Sequence, residues 1–223
     1  MSAKSVLRGL FALAAAVDLL SLAVGFEPGH AVAKPLLMPL LAAWAARRDA
    51  PRLLVAALLC GWGGDALLLF DADAAFLAGM ASFAAGHVCY LVLFLRVGRS
   101  RAGSLLLAPC YAVALITTVV LLMPGLPAQL RLPVAVYSTL LTAMACTAAA
   151  RLGPVAGAGG ALFLLSDTLI ATGVAHWPQP PRPDLWIMLT YLAAQVLLVR
   201  GSLGEPRPTR EQTDGRRAFA GPG

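Results

Sequence analysis

Long apolar runs dominate this chain of 223 residues, and short polar or Pro- and Gly-rich breaks separate them. A hydrocarbon core about 30 Å thick needs roughly 20 apolar residues per crossing helix, and the runs approach that length. Lipid offers the backbone no hydrogen-bond partner, and the runs lack the alternation of barrel strands. The sequence therefore predicts an all-α fold, a polytopic transmembrane helical bundle of about eight helices, over residues 7–24, 31–46, 52–70, 75–95, 104–122, 132–150, 155–174 and 184–200.

Composition excludes a soluble globular domain. Hydrophobic residues make up 59% of the chain, charged residues make up 13%, and the mean hydropathy is +0.79. Water cannot be the main solvent of such a chain. All four cysteines fall inside apolar runs without a paired spacing, so neither a disulfide framework nor a zinc site is indicated.

The distribution of basic residues predicts the orientation. With the N-terminus in the cytoplasm, all but three of the 17 Lys and Arg residues fall on the inner side, and only Lys34, Arg131 and Arg182 remain for the outer half. That asymmetry follows the positive-inside rule. We therefore expect a multi-pass protein of the inner (plasma) membrane with both termini cytoplasmic. The net charge of +6 reflects this topology, and nucleic acid is not expected as a partner.

The sequence predicts two segments, a transmembrane helical domain over residues 1–200 and a disordered cytoplasmic tail over residues 201–223. The tail is rich in Gly, Pro, Arg and Thr and has almost nothing to bury. The first apolar run could also be read as a cleaved signal peptide. Its length, and Asp18 within it, favour a membrane span instead.

Ionisable side chains inside the predicted spans are the main candidates for function, because each costs at least ~2.5 kcal/mol in the membrane. These side chains are Asp18, Lys34, Asp65, His87 and Asp167. At a rise of about 1.5 Å per residue, His87 falls slightly to the inner side of the midplane and the others fall to its outer side. Their agreement in depth predicts one shared site inside the bundle. The alternative is a structural ion pair between Lys34 and an aspartate, with His87 bonded to a backbone carbonyl.

Asp65 and Asp167 occupy similar settings. Each follows a small residue, precedes an apolar run and lies in the third span of one half of the chain. This similarity is either a faint internal repeat of two four-helix halves or a chance likeness of apolar segments. The same spans are rich in glycine, at Gly61, Gly63, Gly64, Gly157, Gly159 and Gly160. These glycines allow either close helix packing or the approach of a substrate. Packing would place the aspartates at helix contacts.

Two carboxylates in a poorly solvated cavity suit acid/base chemistry. Desolvation and mutual repulsion separate their proton affinities, so one can hold a proton while the other stays charged. Such a pair could protonate a substrate and activate water on it. It could equally carry protons in a transporter.

Six ordered blocks of the sequence resemble the signature of the YhhN-like lysoplasmalogenase family. They cover most of the membrane part and read KPLLMPL (34–40), GDALLL (64–69), FLAGMASF (76–83), GHVCY (86–90), GALFLLSDTL (160–169) and YLAAQ (191–195). The last block is slightly loose, because Ala193 and Ala194 precede Gln195. The resemblance implies an eight-helix membrane hydrolase that cleaves the vinyl ether bond of lysoplasmalogens to a fatty aldehyde and a glycerophospho-alcohol. It implies no metal or organic cofactor, and a lysophospholipid within the membrane as the substrate.

Carried over residue by residue, the resemblance implies seven motif positions: Lys34, Asp65, His87, Ser166, Asp167, Tyr191 and Gln195. Our hypothesis is that Asp65 and Asp167 are the catalytic pair. One would be the protonated general acid, and the other the base that positions water and stabilises the cation. The sequence leaves open which is which. Lys34 would pair with the substrate phosphate or keep a carboxylate ionised, and His87 and Tyr191 would orient water or the headgroup. The implied substrate-binding positions are Lys34, His87, Ser166, Tyr191 and Gln195.

Two rival functions use the same residues. A proton-coupled small transporter or lipid flippase would need the carboxylates and the lysine equally, although no span shows the paired breaks of inverted-repeat transporters. A structural or assembly subunit would explain the small-residue helices but not the shared depth of the charges. Headgroup preference, oligomeric state and the choice between a plasmalogen and another ether or epoxide lipid stay open.

Overall fold

The protein is a bundle of eight α-helices in a computed structural model that describes residues 2–99 and 107–204. Within those ranges no residue lies in a strand, which confirms the predicted all-α class. A single turn of 3₁₀-helix, Met123–Gly125, follows the fifth helix. The helices are α1 Ala3–Val24, α2 Glu27–Ala46, α3 Arg52–Leu67, α4 Asp73–Val97, α5 Leu107–Leu122, α6 Ala128–Leu152, α7 Pro154–Val174 and α8 Pro183–Leu203.

Five helix ends differ from the predicted runs by three or four residues, and two of these are early starts, of α1 at Ala3 and of α6 at Ala128. The other three have identifiable features. Helix α2 begins at Glu27 because an acidic residue and a proline suit a first turn, so His30 becomes helical. Helix α3 stops at Leu67, where the N–H of Leu68 bonds to the carbonyls of Gly64 and Ala66 in a tightened last turn. Helix α8 continues to Leu203, past the predicted start of the tail. The remainder of that tail, residues 205–223, and the start of the fifth run, residues 104–106, lie outside the described residues.

Seven of the helices form a closed ring in the order α1, α2, α3, α4, α6, α7, α8 and back to α1, and α5 packs outside it against α6. Two arginines connect the ends of helices that are neighbours in the ring. The guanidinium of Arg182 donates to the carbonyl of Leu22 at 3.2 Å and joins α8 to α1. That of Arg151 donates to the carbonyl of Leu95 at 2.8 Å and joins α6 to α4. The ring order brings α4 beside α6, although α5 intervenes in the sequence.

Six helices in the described part of the chain are long and apolar enough to cross a membrane: α1, α4, α5 with its 3₁₀ turn, α6, α7 and α8. Helix α2 contains Pro35, Pro39 and Lys34, and α3 has only 16 residues. Both nevertheless complete the ring between α1 and α4. The chain is therefore a multi-pass membrane protein with a helical bundle.

Small residues lie where the helices approach most closely, as expected from their place in the sequence. A Cβ added at Gly64 would stand 2.4 Å from the ring of Phe83 on α4. One added at Gly160 would stand 2.7 Å from the Cα of Ala145 on α6. Nonbonded contacts of a Cβ are essentially never shorter than 3.0 Å, so a side chain at Gly64 would displace the Phe83 ring, and one at Gly160 would push the backbone of α6 away.

We expect Gly160→Ala to lower the thermal midpoint of the purified protein by several degrees, because the added methyl group would push the backbone of α6 away. Gly9→Ala is the matched control, since nothing lies within 4 Å of an added Cβ there. Alanine favours helix over glycine by ~1 kcal/mol, so the control should be neutral or slightly stabilising. Equal midpoints for the two variants in the same detergent would contradict this account of α6–α7 packing.

Candidate active site

A buried hydrogen-bond chain leads to Asp65. The hydroxyl of Tyr191 on α8 donates to Oδ2 of Asp65 at 2.8 Å. Nε2 of Gln195, one turn further along α8, donates to that hydroxyl at 3.2 Å. The hydroxyl of Tyr90 on α4 donates in turn to Oε1 of Gln195 at 2.7 Å. All four side chains are at most 3% exposed, so α3, α4 and α8 are joined by a polar chain that is closed to solvent.

A second chain leads to Asp167. The hydroxyl of Tyr137 on α6 donates to Oδ2 of Asp167 on α7. Nε2 of His87 on α4 lies 3.0 Å from the same hydroxyl, and Nδ1 of His87 is buried without a hydrogen-bond partner among the described residues. A tyrosine hydroxyl carries one proton, so when it donates to Asp167 the histidine must donate to it through Nε2. If Asp167 carries the proton, every bond of the chain can reverse, and His87 then accepts.

Aromatic rings separate the two chains. The Phe163 ring centroid lies 4.8 Å from that of His87 and 5.4 Å from that of Tyr191, both edge-on. Phe83 adds a second edge-on contact to Tyr191 at 6.0 Å. The two carboxylates therefore do not touch, although they are close enough for their charges to interact.

A third polar group lies on α1 and α2. Nδ1 of His30 is 2.8 Å from Oδ1 of the fully buried Asp18, and Oδ2 of Asp18 has no partner among the described residues. Lys34, one turn after His30, is half-buried and within electrostatic range of Asp65, as are Asp18 and His30. Asp18, His30 and Lys34 therefore lie near the Asp65 chain. Lys34 forms no ion pair in the described part, and His87 bonds to a hydroxyl, so neither element of the alternative structural arrangement is present.

A cavity of about 210 Å³ lies between α4, α5, α6 and α7, and its walls are mostly apolar. Asp167 and Tyr137 line it, and Phe83 separates it from the Asp65 chain. Asp65 is not among the lining residues, which is a departure from the expectation that both aspartates would face one pocket. The physical cause is the aromatic layer together with Tyr191, which bury the Asp65 carboxylate. Asp167 is therefore the carboxylate that a molecule in the cavity would meet.

The remaining sequence-derived candidates divide between the polar chains and helix packing. Tyr191 and Gln195 belong to the Asp65 chain, and His87 belongs to the Asp167 chain. Ser166 is 1% exposed, and its hydroxyl donates to the carbonyl of Ile187 at 3.1 Å, which joins α7 to α8 away from the cavity. Its geometry is that of a helix–helix contact.

Sequence reasoning missed Tyr137, Tyr90 and His30. Tyr137 and Tyr90 are two of only four tyrosines, and both lie inside long apolar runs. A phenol in such a run usually needs a polar partner for its hydroxyl, and this was the signal available. His30 was placed outside the second span because the start of α2 was predicted too late.

Chemically, the arrangement offers a carboxyl group on the wall of an apolar cavity, connected through one hydroxyl to an imidazole. A carboxyl group in such surroundings can deliver a proton to a bound molecule, and the imidazole can return one. A second, buried carboxylate lies within electrostatic range, where it can stabilise a developing positive charge. A cation formed next to the cavity wall would interact with the negative charge of both carboxylates.

Known proteins share this sequence pattern. Residues 29–202 match the model of the YhhN family. The chain is 38% identical over 160 residues to lysoplasmalogenase TMEM86B of Homo sapiens, a match that covers 70% of this chain and 66% of that protein. It is 40% identical to lysoplasmalogenase TMEM86B of Sus scrofa over 64% of this chain and 59% of that protein. It is 33% identical to a lysoplasmalogenase of Mycobacterium bovis over 88% of this chain and 82% of that protein.

The matched region is therefore less than two thirds of the length of both the human and the pig relative. No solved structure matches the chain significantly.

Proposed function

The chain belongs to the YhhN family, and from that premise we propose that it is a membrane hydrolase that cleaves the vinyl ether bond of lysoplasmalogens, or of a related ether lysolipid. The products are a fatty aldehyde and a glycerophospho-alcohol. The observation that carries the proposal is the position of Asp167 on the wall of an apolar cavity, bonded to Tyr137. The names of the relatives favour this hydrolase over the transporter or flippase that the same carboxylates could serve.

The hydrocarbon chain of the substrate occupies the cavity. Among the described residues no Lys, Arg or His lines it, so a phosphate placed there would have no cationic partner. Leucine, valine and phenylalanine side chains instead offer favourable contact to an alkenyl chain. The vinyl ether at the head of that chain then lies beside Asp167, and the phosphate projects past the rim of the cavity.

Arg131 lies at that rim. It precedes Val134 by one turn of α6, its side chain is exposed, and its Nε donates to the carbonyl of Leu126 at 3.2 Å. Leu126 packs with Leu122 and Val134, which both line the cavity. The other N–H groups of the guanidinium make no hydrogen bond to residues 2–99 or 107–204, and they can bind a phosphate in a bidentate geometry.

Protonated Asp167 is the general acid. It delivers its proton to the outer alkene carbon, and the carbon bonded to the ether oxygen becomes an oxocarbenium ion. Water adds to that carbon while the Asp167 carboxylate takes one of its protons, which gives a hemiacetal. Collapse of the hemiacetal moves the hydroxyl proton to the ether oxygen, breaks the carbon–oxygen bond and releases aldehyde and alcohol. Asp167 ends the cycle protonated, so atoms and charge balance.

His87 and Tyr137 hold Asp167 in position and share its proton. In the chain at Asp65, Gln195 and Tyr191 donate in one direction, toward the carboxylate. That direction favours an ionised Asp65, which stabilises the oxocarbenium charge from behind the aromatic layer. Lys34 keeps Asp65 ionised rather than binding phosphate.

For location, we propose the inner (plasma) membrane with both termini in the cytoplasm. The distribution of basic residues supports this orientation, since the ends of α1, α2, α4 and α8 that carry arginines lie on one face of the bundle. The polar groups then lie in the outer half.

The decisive experiment incubates the purified protein in detergent micelles with a 1-alkenyl lysophospholipid and measures aldehyde and glycerophospho-alcohol. We expect both products in equal amounts. The 1-alkyl analogue, with the same chain length and headgroup, has no alkene to protonate and should release nothing. Turnover in micelles needs no closed compartment, so it separates a hydrolase from a transporter. Absence of aldehyde from a folded, monodisperse preparation would contradict the proposal.

We expect Arg131→Gln to raise KM by about 10- to 150-fold and to leave kcat nearly unchanged, since a charge-assisted contact to phosphate contributes about 1.5 to 3 kcal/mol. Lys34→Gln is the matched comparison, and it should lower kcat more than it raises KM. Steady-state kinetics on the alkenyl substrate measures both. The reverse pattern would place the phosphate at Lys34 instead.

A further inference from the structure

A second pocket lies at the opposite end of the bundle from the polar chains, where α1 begins and α2 ends. Its volume is about 400 Å³, and it is lined by Ser2, Lys4, Ser5, Arg8, Trp44 and Arg48. None of these residues contributes to the chemistry described above. The pocket therefore needs an explanation of its own.

Positive charge converges in this pocket without compensation. Three of its lining residues are cationic and none is acidic. In the described part of the chain, none of the three has a carboxylate within ion-pair distance. Helix α1 also begins here, with Ser2 as its cap, so the positive end of its dipole adds to the field. An anion bound between α1 and α2 would relieve the repulsion among these charges.

Trp44 fixes one side of the pocket. The guanidinium carbon of Arg48 lies 5.0 Å from the centre of the Trp44 ring, which holds the arginine by a cation–π contact. Tryptophan is enriched at the level of lipid headgroups. The positive-inside rule accounts for basic residues at this end of the bundle, but not for the convergence of three of them beside Trp44 around one cavity.

The position and charge of the pocket identify the kind of anion. It opens between the ends of two helices of a membrane bundle, and its three cationic side chains are exposed there. We propose that the pocket binds the phosphodiester headgroup of an anionic phospholipid, whose chains extend into the bilayer beside the bundle. Basic pockets between transmembrane helices are a known form of headgroup site.

The test measures the thermal midpoint of the purified protein in a nonionic detergent with added phosphatidylglycerol. We expect a rise of at least about 3 °C for the wild type, and no rise with the same mole fraction of phosphatidylcholine. The variant Arg8→Gln/Arg48→Gln should lose the rise. Should that variant fold poorly in lipid-free detergent, Lys4→Gln/Arg8→Gln serves in its place.

The matched control is Arg96→Gln/Arg200→Gln, which removes two exposed arginines from the same end of the bundle but outside the pocket. It should keep the full rise. An equal rise in the pocket variant, or no rise in the wild type, would overturn the proposal. Soluble glycerol phosphate serves as the remaining arm, and a rise equal to that with phosphatidylglycerol would overturn the assignment to a lipid.

Discussion

Asp167→Asn should abolish aldehyde release, with a loss in kcat/KM of about 10²- to 10⁴-fold. The amide has the size and shape of the carboxyl group but carries no transferable acidic proton. Its oxygen can still accept from Tyr137, so the fold should survive. Aldehyde release from the alkenyl substrate and the thermal midpoint are the two measurements.

Asp71→Asn controls for the loss of a charge on the same side of the bundle, since Asp71 is exposed and does not line the cavity. It should leave activity and midpoint unchanged. Full activity in Asp167→Asn would remove the general acid from the mechanism. A large fall in its midpoint would instead show that Asp167 stabilises the fold, and Asp167→Glu, which keeps the acid, would then have to retain activity.

Asp65→Asn should also reduce turnover, but by a different route. Asp65 does not line the cavity, so its substitution should lower kcat and leave KM nearly unchanged. The hydroxyl of Tyr191 can still donate to the amide oxygen, so the buried chain remains. Wild-type kcat in this variant would show that the negative charge of Asp65 does not act on the reaction.

Much of the fold could be predicted because the chemistry of the bilayer is strict. Apolar runs of nearly fixed length leave helices as the only solution, and the helix count follows. Helix ends were less predictable where charge and apolar character compete. At the start of α2, Glu27, Pro28 and His30 look like a loop by composition. Glu27 and Pro28 nevertheless suit a first helical turn, and His30 pairs with Asp18 there.

The ionisable residues of the site were predictable because inserting such a side chain into a membrane costs free energy and therefore indicates a role. The residues that bond to them were not predictable. His87 meets Tyr137 only because α4 packs on α6, with α5 displaced outside the ring. A sequence gives no direct measure of that displacement, and a tyrosine in an apolar run can be there for packing alone. The separation of Asp65 from the cavity likewise depends on Phe83 and Phe163, which look like ordinary core residues in the sequence.

The partners of the two aspartates also limit the internal repeat. Helices α3 and α7 both carry glycines that pack on a neighbouring helix, as two related halves would predict. Asp65, however, accepts from α8, whereas Asp167 accepts from α6. Helices α3 and α7 are therefore alike in their packing but not in their hydrogen bonds. This difference is consistent with Asp167 as the general acid and Asp65 as the ionised carboxylate that stabilises the cation.

Tyr137→Phe should lower kcat by about 10²-fold, because it disconnects His87 from Asp167 and removes the only hydrogen bond that the described residues provide to the acid. Tyr111→Phe is the matched control, since Tyr111 is on α5, does not line the cavity and makes no hydrogen bond within the described ranges. It should keep wild-type kinetics. Both variants should keep the wild-type thermal midpoint to within a few degrees.

A double-variant cycle distinguishes a proton relay from simple packing. If His87 acts on the reaction through the Tyr137 hydroxyl, His87→Gln should cost little once that hydroxyl is gone, and the double variant should be about as slow as Tyr137→Phe alone. If the two side chains act separately, the losses in kcat should multiply. Multiplying losses would contradict the relay and leave His87 and Tyr137 with separate roles in packing around Asp167.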